Sequence, residues 1–158
     1  MESNRAVQSL YPPDFARCYG CGVDNPHGHH IETRAHDELT VTRFTPQPYH
    51  TGAADFVYGG LIASLIDCHS AGSAAIFWMR ARGAWEGADV APRFVTARLE
   101  VDFIRPTPLG PVELLGTAIE VGDRKVVVAT DLLADGTKTA GGRAVLVKVP
   151  DDGPGRKP

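Results

Sequence analysis

Residues 58–82 form one long, mostly apolar stretch with a helical pattern. Leu61, Ile62, Leu65, Ile66, Ile76 and Phe77 recur at three- and four-residue spacing, the period of an α-helix. A second stripe on the same helix is made of small residues: Gly60, Ala63, Ser64, Asp67, Ser70, Ala71 and Ala74. Large side chains fill a core, and a small stripe lets a backbone or a ligand come close. Both faces are poor in charge, which predicts a helix buried nearly all round. Gly83, just beyond Arg80 and Arg82, marks its end.

Outside this helix the period falls to two. Before it, residues 31–36 and 39–45 predict two strands with Asp37-Glu38 as their turn. In the second strand Val41 and Arg43 alternate with Thr40, Thr42 and Phe44, as a half-buried strand does. After the helix come four more strands, over residues 93–105, 112–121, 125–133 and 138–149. In the first of these Arg98, Glu100 and Asp102 lie on one face and Ala97, Leu99, Val101 and Phe103 on the other. Pro106 to Pro111 and Gly122-Asp123 turn the chain, and Asp135-Gly136 is a strong hairpin signal. Gly141-Gly142 predicts a bulge in the last strand. Runs of strands with one segregated helix read as α+β, an antiparallel sheet wrapped around a single long central helix. Residues 1–30 read as a lead-in, extended or briefly helical, 31–150 as the folded domain and 151–158 as a mobile tail.

The chain of 158 residues is long enough for one sizeable core. Its net charge of −3 and the lack of a basic cluster argue against a nucleic-acid partner. Asp67, His69, glycines and serines interrupt the apolar helix, which reads as a soluble core element with no membrane partner. Residues 1–16 show no apolar signal region, and three cysteines are an odd number without framework spacing. A reducing cytoplasm is the expected compartment.

Asp67 is the one acidic residue in the helix. A carboxylate among apolar neighbours must find donors or take a proton. It reads either as a structural group bonded to a serine or backbone amide, or as a general base or nucleophile with a raised pKa. Gly59-Gly60 opens the helix, so its first N–H groups have no partner inside the helix. Such a terminus can stabilise an oxyanion. Gly59 and Asp67 are eight residues apart, about 12 Å along one helix axis. Catalytic contacts need roughly 3 Å, so one helix cannot bring both to one carbonyl. Two antiparallel copies can, which implies a twofold homodimer, with a dimer of dimers as a further assembly.

Cys18-Tyr19-Gly20-Cys21, with His27, His29 and His30 following, raises the question of zinc. A structural zinc site uses four ligands, commonly in two pairs. Here there is one pair with loosely placed histidines, so no metal is expected and the segment reads as a structured glycine- and proline-rich loop. Residues 46–57 deliver the chain to the helix, and His50 in that loop is a candidate lining residue.

The sequence resembles the hotdog-fold acyl-CoA thioesterases, in the branch of the PaaI-like enzymes. The likeness covers roughly residues 18–148. It rests on Cys18-x-x-Cys21-Gly22-x-x-Asn25-Pro26-x-Gly28, on Tyr58-Gly59-Gly60 with Asp67 nine residues after Tyr58, and on residues 96–110 from Thr96-Ala97-Arg98-Leu99 to Leu109-Gly110. The resemblance implies hydrolysis of an acyl-CoA without any cofactor. It implies Asp67 as base or nucleophile and the Gly59 N–H as oxyanion donor, with Gly60 as a second donor. Thr96 matches a polar strand residue that helps place the attacking group. The family usually carries His where this chain has Tyr58, a position that shapes the substrate site. His50, Tyr58 and Arg105 are the substrate-binding candidates, Arg105 for the CoA phosphates. Two other functions stay open. One is an acyl-CoA binding module without turnover. The other is a hotdog-fold hydratase, suggested by Asp24-Asn25-Pro26-His27, although that motif precedes the first strand.

Overall fold

A computed structural model of the chain describes residues 1–151. The tail expected to be mobile lies, apart from Asp151, outside the described residues. Seven strands, β1 (Glu2–Ala6), β2 (Arg34–His36), β3 (Leu39–Phe44), β4 (Phe94–Phe103), β5 (Val112–Val121), β6 (Lys125–Ala134) and β7 (Thr137–Lys148), form one antiparallel sheet. The order across it is β1-β2-β3-β5-β6-β7-β4. One helix, α1 (Gly59–Arg80), packs against β4, β5, β6 and β7. This is the hotdog fold, the predicted sheet around one central helix.

The lead-in is part of that sheet. β1 pairs with β2, and two short 3-10 turns, Val7–Leu10 and Pro13–Phe15, follow. Val7 and Gln8 are fully buried there. No run of alternating residues announces β1, because its five residues are Glu, Ser, Asn, Arg and Ala. Its pairing with β2 orders it.

The ends of α1 follow from local chemistry. Gly83 has φ +64°, the Ala84 N–H bonds the Met79 carbonyl at 2.8 Å, and the Gly83 N–H bonds the Arg80 carbonyl at 3.0 Å. That is a Schellman stop, which needs a left-handed residue. Asp135 and Gly136 both have positive φ, as the type I′ hairpin between β6 and β7 requires.

Three predictions change. The bulge is not at Gly141-Gly142, which stay in register with both neighbours; the register of β7 against β6 shifts around Thr139. Gly142 is small for another reason: a Cβ there would come within 2.5 Å of Ile66 Cγ2 on α1. Second, β4 buries the apolar face read for it only in part, at Leu99 and Val101. It is the edge strand, and Val95, Thr96, Ala97, Arg98 and Phe103 are all exposed. Third, α1 is not buried nearly all round. Ser64 is exposed, and Gly60, Ala63, Asp67 and Ala71 are half-buried. The sheet ends at β4, so this small stripe is left open. By length and composition α1 could cross a membrane, yet 67% of its apolar window is buried within the fold, as a core helix is.

Candidate active site

Asp67 stands on the open stripe of α1, half-buried, where β4 passes over the helix. The Thr96 hydroxyl donates to Asp67 Oδ1 at 2.5 Å. A hydrogen bond this short to a charged acceptor is of the stronger kind. It fixes the carboxylate and leaves Oδ2 free of any described hydrogen bond. The register of β4 against β7 shifts between Thr96 and Arg98. Such an irregularity re-aims side chains near functional sites, and here it lies beside the residue that reaches Asp67.

At the other end of β4, Phe103 lies over the start of α1. A Cβ on Gly59 would sit 3.4 Å from the Phe103 ring. Tyr58 precedes the helix with φ −57° and ψ 129° and provides no side-chain cap. The Leu61 and Ile62 N–H groups both bond the Tyr58 carbonyl, at 3.0 and 3.2 Å. Among the described residues, the N–H groups of Gly59 and Gly60 make no hydrogen bond. They are the donors that an oxyanion would use.

Gly60 is small because Tyr58 folds back on it. A Cβ at Gly60 would lie 2.4 to 2.6 Å from the Tyr58 ring and hydroxyl. Tyr58 is otherwise exposed and walls a groove of about 370 Å³ that also takes in His50, His29, Tyr19, Tyr49, Leu61 and Ser64. His50 is fixed there: the Gln47 N–H donates to its Nδ1 at 2.9 Å, and its ring packs against those of His29, Phe44 and Tyr49. Burial and the neighbouring His50 hold His29 below the usual imidazole range.

The fold therefore brings Asp67 and Thr96 together, and groups Gly59, Gly60, Tyr58 and His50 at the head of the helix. Arg105 does not join either group. It lies exposed past the end of β4, tied by its N–H to the Thr139 carbonyl at 3.1 Å. Gly59 and Asp67 stay apart by about 12 Å of helix, as the sequence spacing demands.

A second polar constellation was not visible in the sequence. His69, two residues after Asp67, points the other way and is fully buried. Its Nδ1 is 2.8 Å from the Thr42 hydroxyl, and its Nε2 is 3.4 Å from the Ser73 hydroxyl, which meets Thr40 at 2.6 Å. Thr33, Gln8, Ser70 and Thr130 extend the buried hydrogen bonding around the helix. Desolvation holds the His69 pKa down to about 3, so the ring is neutral at pH 7. The alternating Thr40 and Thr42 on β3 and the i, i+4 pair His69 and Ser73 on α1 supply the network, but their spacing does not say that β3 lies across α1.

Cys18, Cys21 and Cys68 also converge. The first two come from the lead-in loop and the third from α1, next to Asp67. Cys68 lies 47 residues beyond Cys21, so spacing along the chain does not join it to the pair.

Comparison with known proteins agrees with this fold. A solved thioesterase superfamily protein from Shewanella loihica is 45% identical, with TM-score 0.63, over 78% of this chain and 95% of that one. A phenylacetic acid degradation-related protein from Ralstonia eutropha shares the fold at 19% identity and TM-score 0.59, over 75% of this chain and 85% of that one. A Bacillus halodurans protein solved with CoA does so at 21% identity and TM-score 0.58, over 78% of this chain and 76% of that one. The acyl-coenzyme A thioesterase THEM4 of Xenopus laevis is 31% identical over 93 residues, 58% of this chain and 36% of the relative, so the chain matches only part of that protein. The thioesterase superfamily sequence profile covers residues 54–140, which include the head of α1, Asp67 and Thr96, and the chain belongs to that superfamily.

Proposed function

We propose that the protein hydrolyses an acyl-CoA thioester at a site shared between two copies of the chain. The observation that carries this reading is Asp67: a carboxylate held by the Thr96 hydroxyl at 2.5 Å on the open stripe of a core helix, beside an unpaired sheet edge. A core helix that needed only packing would seal that stripe. The small residues on it and the exposed apolar groups of β4 and its end, Val95, Phe103 and Ile104, suit an antiparallel partner. Pairing through β4 sets the Asp67 of one copy opposite the Gly59 of the other.

The chemistry then follows. Asp67 takes a proton from water, and the hydroxide adds to the thioester carbonyl; alternatively the carboxylate adds directly, giving a mixed anhydride that water hydrolyses after the thiolate has left. The oxyanion that forms is bound by the Gly59 N–H, with Gly60 beside it. The carbon–sulfur bond breaks, the acid is released, and the CoA thiolate takes a proton. Thr96 orients Asp67. His50 and Tyr58 wall the groove at the donor end, and Arg105 is available to the CoA phosphates. The CoA bound to the Bacillus halodurans protein and the likeness to the Xenopus laevis acyl-coenzyme A thioesterase support the substrate class.

A second reading, binding without turnover, is favoured by one observation: the Tyr58 ring lies on Gly60 and narrows the approach to its N–H. Steady-state hydrolysis of an acyl-CoA panel by wild type and Asp67→Asn decides between the two. The proposal expects turnover by wild type and a loss of about 10²–10⁴ in the variant, the usual size for a catalytic base. Asn keeps the shape but cannot take a proton. Tight binding with no hydrolysis across the panel would favour the binding module. Equal rates from two equally folded proteins would make Asp67 structural.

A further inference from the structure

We propose that Cys18, Cys21 and Cys68 form a three-thiolate site for a soft metal cation, Zn²⁺ or Cu⁺, which ties the lead-in loop to α1 beside Asp67. This goes beyond the thioesterase reading and does not depend on it. The three sulfurs lie within 4.8 Å of one another, and Cys18 Sγ is 4.0 Å from Cys68 Sγ. Thiolates around a zinc ion with bonds of about 2.3 Å sit about 3.8 Å apart. The cluster therefore needs only a small contraction.

The missing second ligand pair, with histidines only loosely placed, was the ground for expecting no metal. The fold supplies a third, from a residue the sequence did not connect to the pair. Thiolate sets of this kind select soft cations over magnesium or calcium.

The loop is shaped for the approach. A Cβ on Gly20 would lie 2.2 Å from Cys68 Sγ, so only glycine lets this backbone press onto the helix thiol. A Cβ on Gly22 would meet the Ala16 carbonyl and the Cys18 amide, both at 2.4 Å. The Gly22 N–H closes the turn on the Cys18 carbonyl at 2.8 Å.

The electrical setting suits a thiolate cluster as well. The Arg93 guanidinium lies near all three sulfurs, stacked on the rings of Phe15 and Tyr11 at 3.7 and 4.4 Å. Its Nη1 is buried and makes no hydrogen bond among the described residues. Three thiolates around Zn²⁺ carry one negative charge, which that guanidinium offsets. On binding, the three thiols release their protons to solvent. Cys18 and Cys68 are half-buried, so the cation has access from solvent.

The test uses the full chain, reduced and stripped of metal with a chelator. Zn²⁺ and Cu⁺ are titrated separately against a competing colorimetric chelator. The expected result is one equivalent bound per chain, with the tighter cation of the two identifying the native class. Metal should raise the unfolding temperature of wild type. Cys68→Ser should bind at least tenfold more weakly, and metal should leave its unfolding temperature unmoved. If Cys68→Ser does not fold, Cys18→Ser, on the half-buried loop, is the deciding variant under the same criteria. Failure of both cations to bind to wild type would overturn the proposal. So would unchanged affinity in the folded variant.

Discussion

Two polar residues, Asp67 and His69, stand two positions apart on one helix, and the fold treats them in opposite ways. Asp67 meets a single hydroxyl, at the open edge of the sheet. His69 is closed in by hydroxyls and by the backbone of β5, with no exposed surface. A closed network can specify packing but cannot meet a substrate. The open carboxylate can. The lesson is that a polar residue in an apolar helix says little until its face is known. A turn of 100° per residue separates a core histidine from a candidate catalytic acid.

The sharpest way to break this contrast is to titrate it. His69 is neutral in the folded protein with a pKa near 3, against 6.5 for the free side chain. Below pH 6.5 the unfolded chain takes a proton that the folded protein refuses. The stability contributed by a neutral His69 is thus full above about pH 6.5 and drains as pH falls toward 3. By pH 4 the drain from this one group is about 3 kcal/mol. Denaturant unfolding at pH 7 and pH 4 should show a larger fall for wild type than for His69→Asn, by about that amount. Identical falls would mean that His69 already titrates in the fold, and the sealed network would be lost as an explanation.

A smaller effect tests how tightly the network is closed. A Cβ on Gly116 would lie 2.3 Å from Thr40 Oγ1 and 2.7 Å from His69 Nε2. Gly116→Ala should therefore destabilise the fold by about 1–3 kcal/mol, the range for overfilling a packed core. Chemical denaturation measures it, and a neutral result would show that the network has room for a methyl group.

On the open side the expected effects are kinetic. Thr96→Val removes the hydroxyl from Asp67 but keeps the shape of the strand residue. A hydrogen bond to a charged group contributes about 1.5–3 kcal/mol, so kcat should fall by roughly tenfold to a hundredfold. Stability should change little, since Thr96 is exposed. A variant that loses stability and keeps kcat would place Thr96 with the structural residues instead.

Much of the fold was legible because its signals are local. Period-two runs located β5, β6 and β7, and Gly83 and Asp135-Gly136 marked a helix stop and a hairpin by their backbone needs. β1 and the Thr139 irregularity were not legible, because pairing partners create them. At the candidate site, the Gly59–Asp67 spacing could be read directly, and Thr96 came from resemblance. The joining of Cys68 to Cys18 and Cys21, and of His69 to Thr42, depends on how β3 and the lead-in loop lie across α1. No spacing along the chain carries that information.

The central claim is that the Asp67 of one copy works with the Gly59 of the other, and mixing two inactive variants tests it most directly. Asp67→Asn removes the acid. Gly59→Pro removes the oxyanion donor at the first helical position, where proline is tolerated, and the ψ of 129° at Tyr58 suits a following proline. Each variant alone should be close to inactive on an acyl-CoA that wild type hydrolyses. After unfolding and refolding an equal mixture, half the dimers are mixed, and each holds one site with both groups intact, so activity should return to about a quarter of wild type. A mixture as inactive as its parents, with mixed dimers demonstrated by mass, would contradict the shared site.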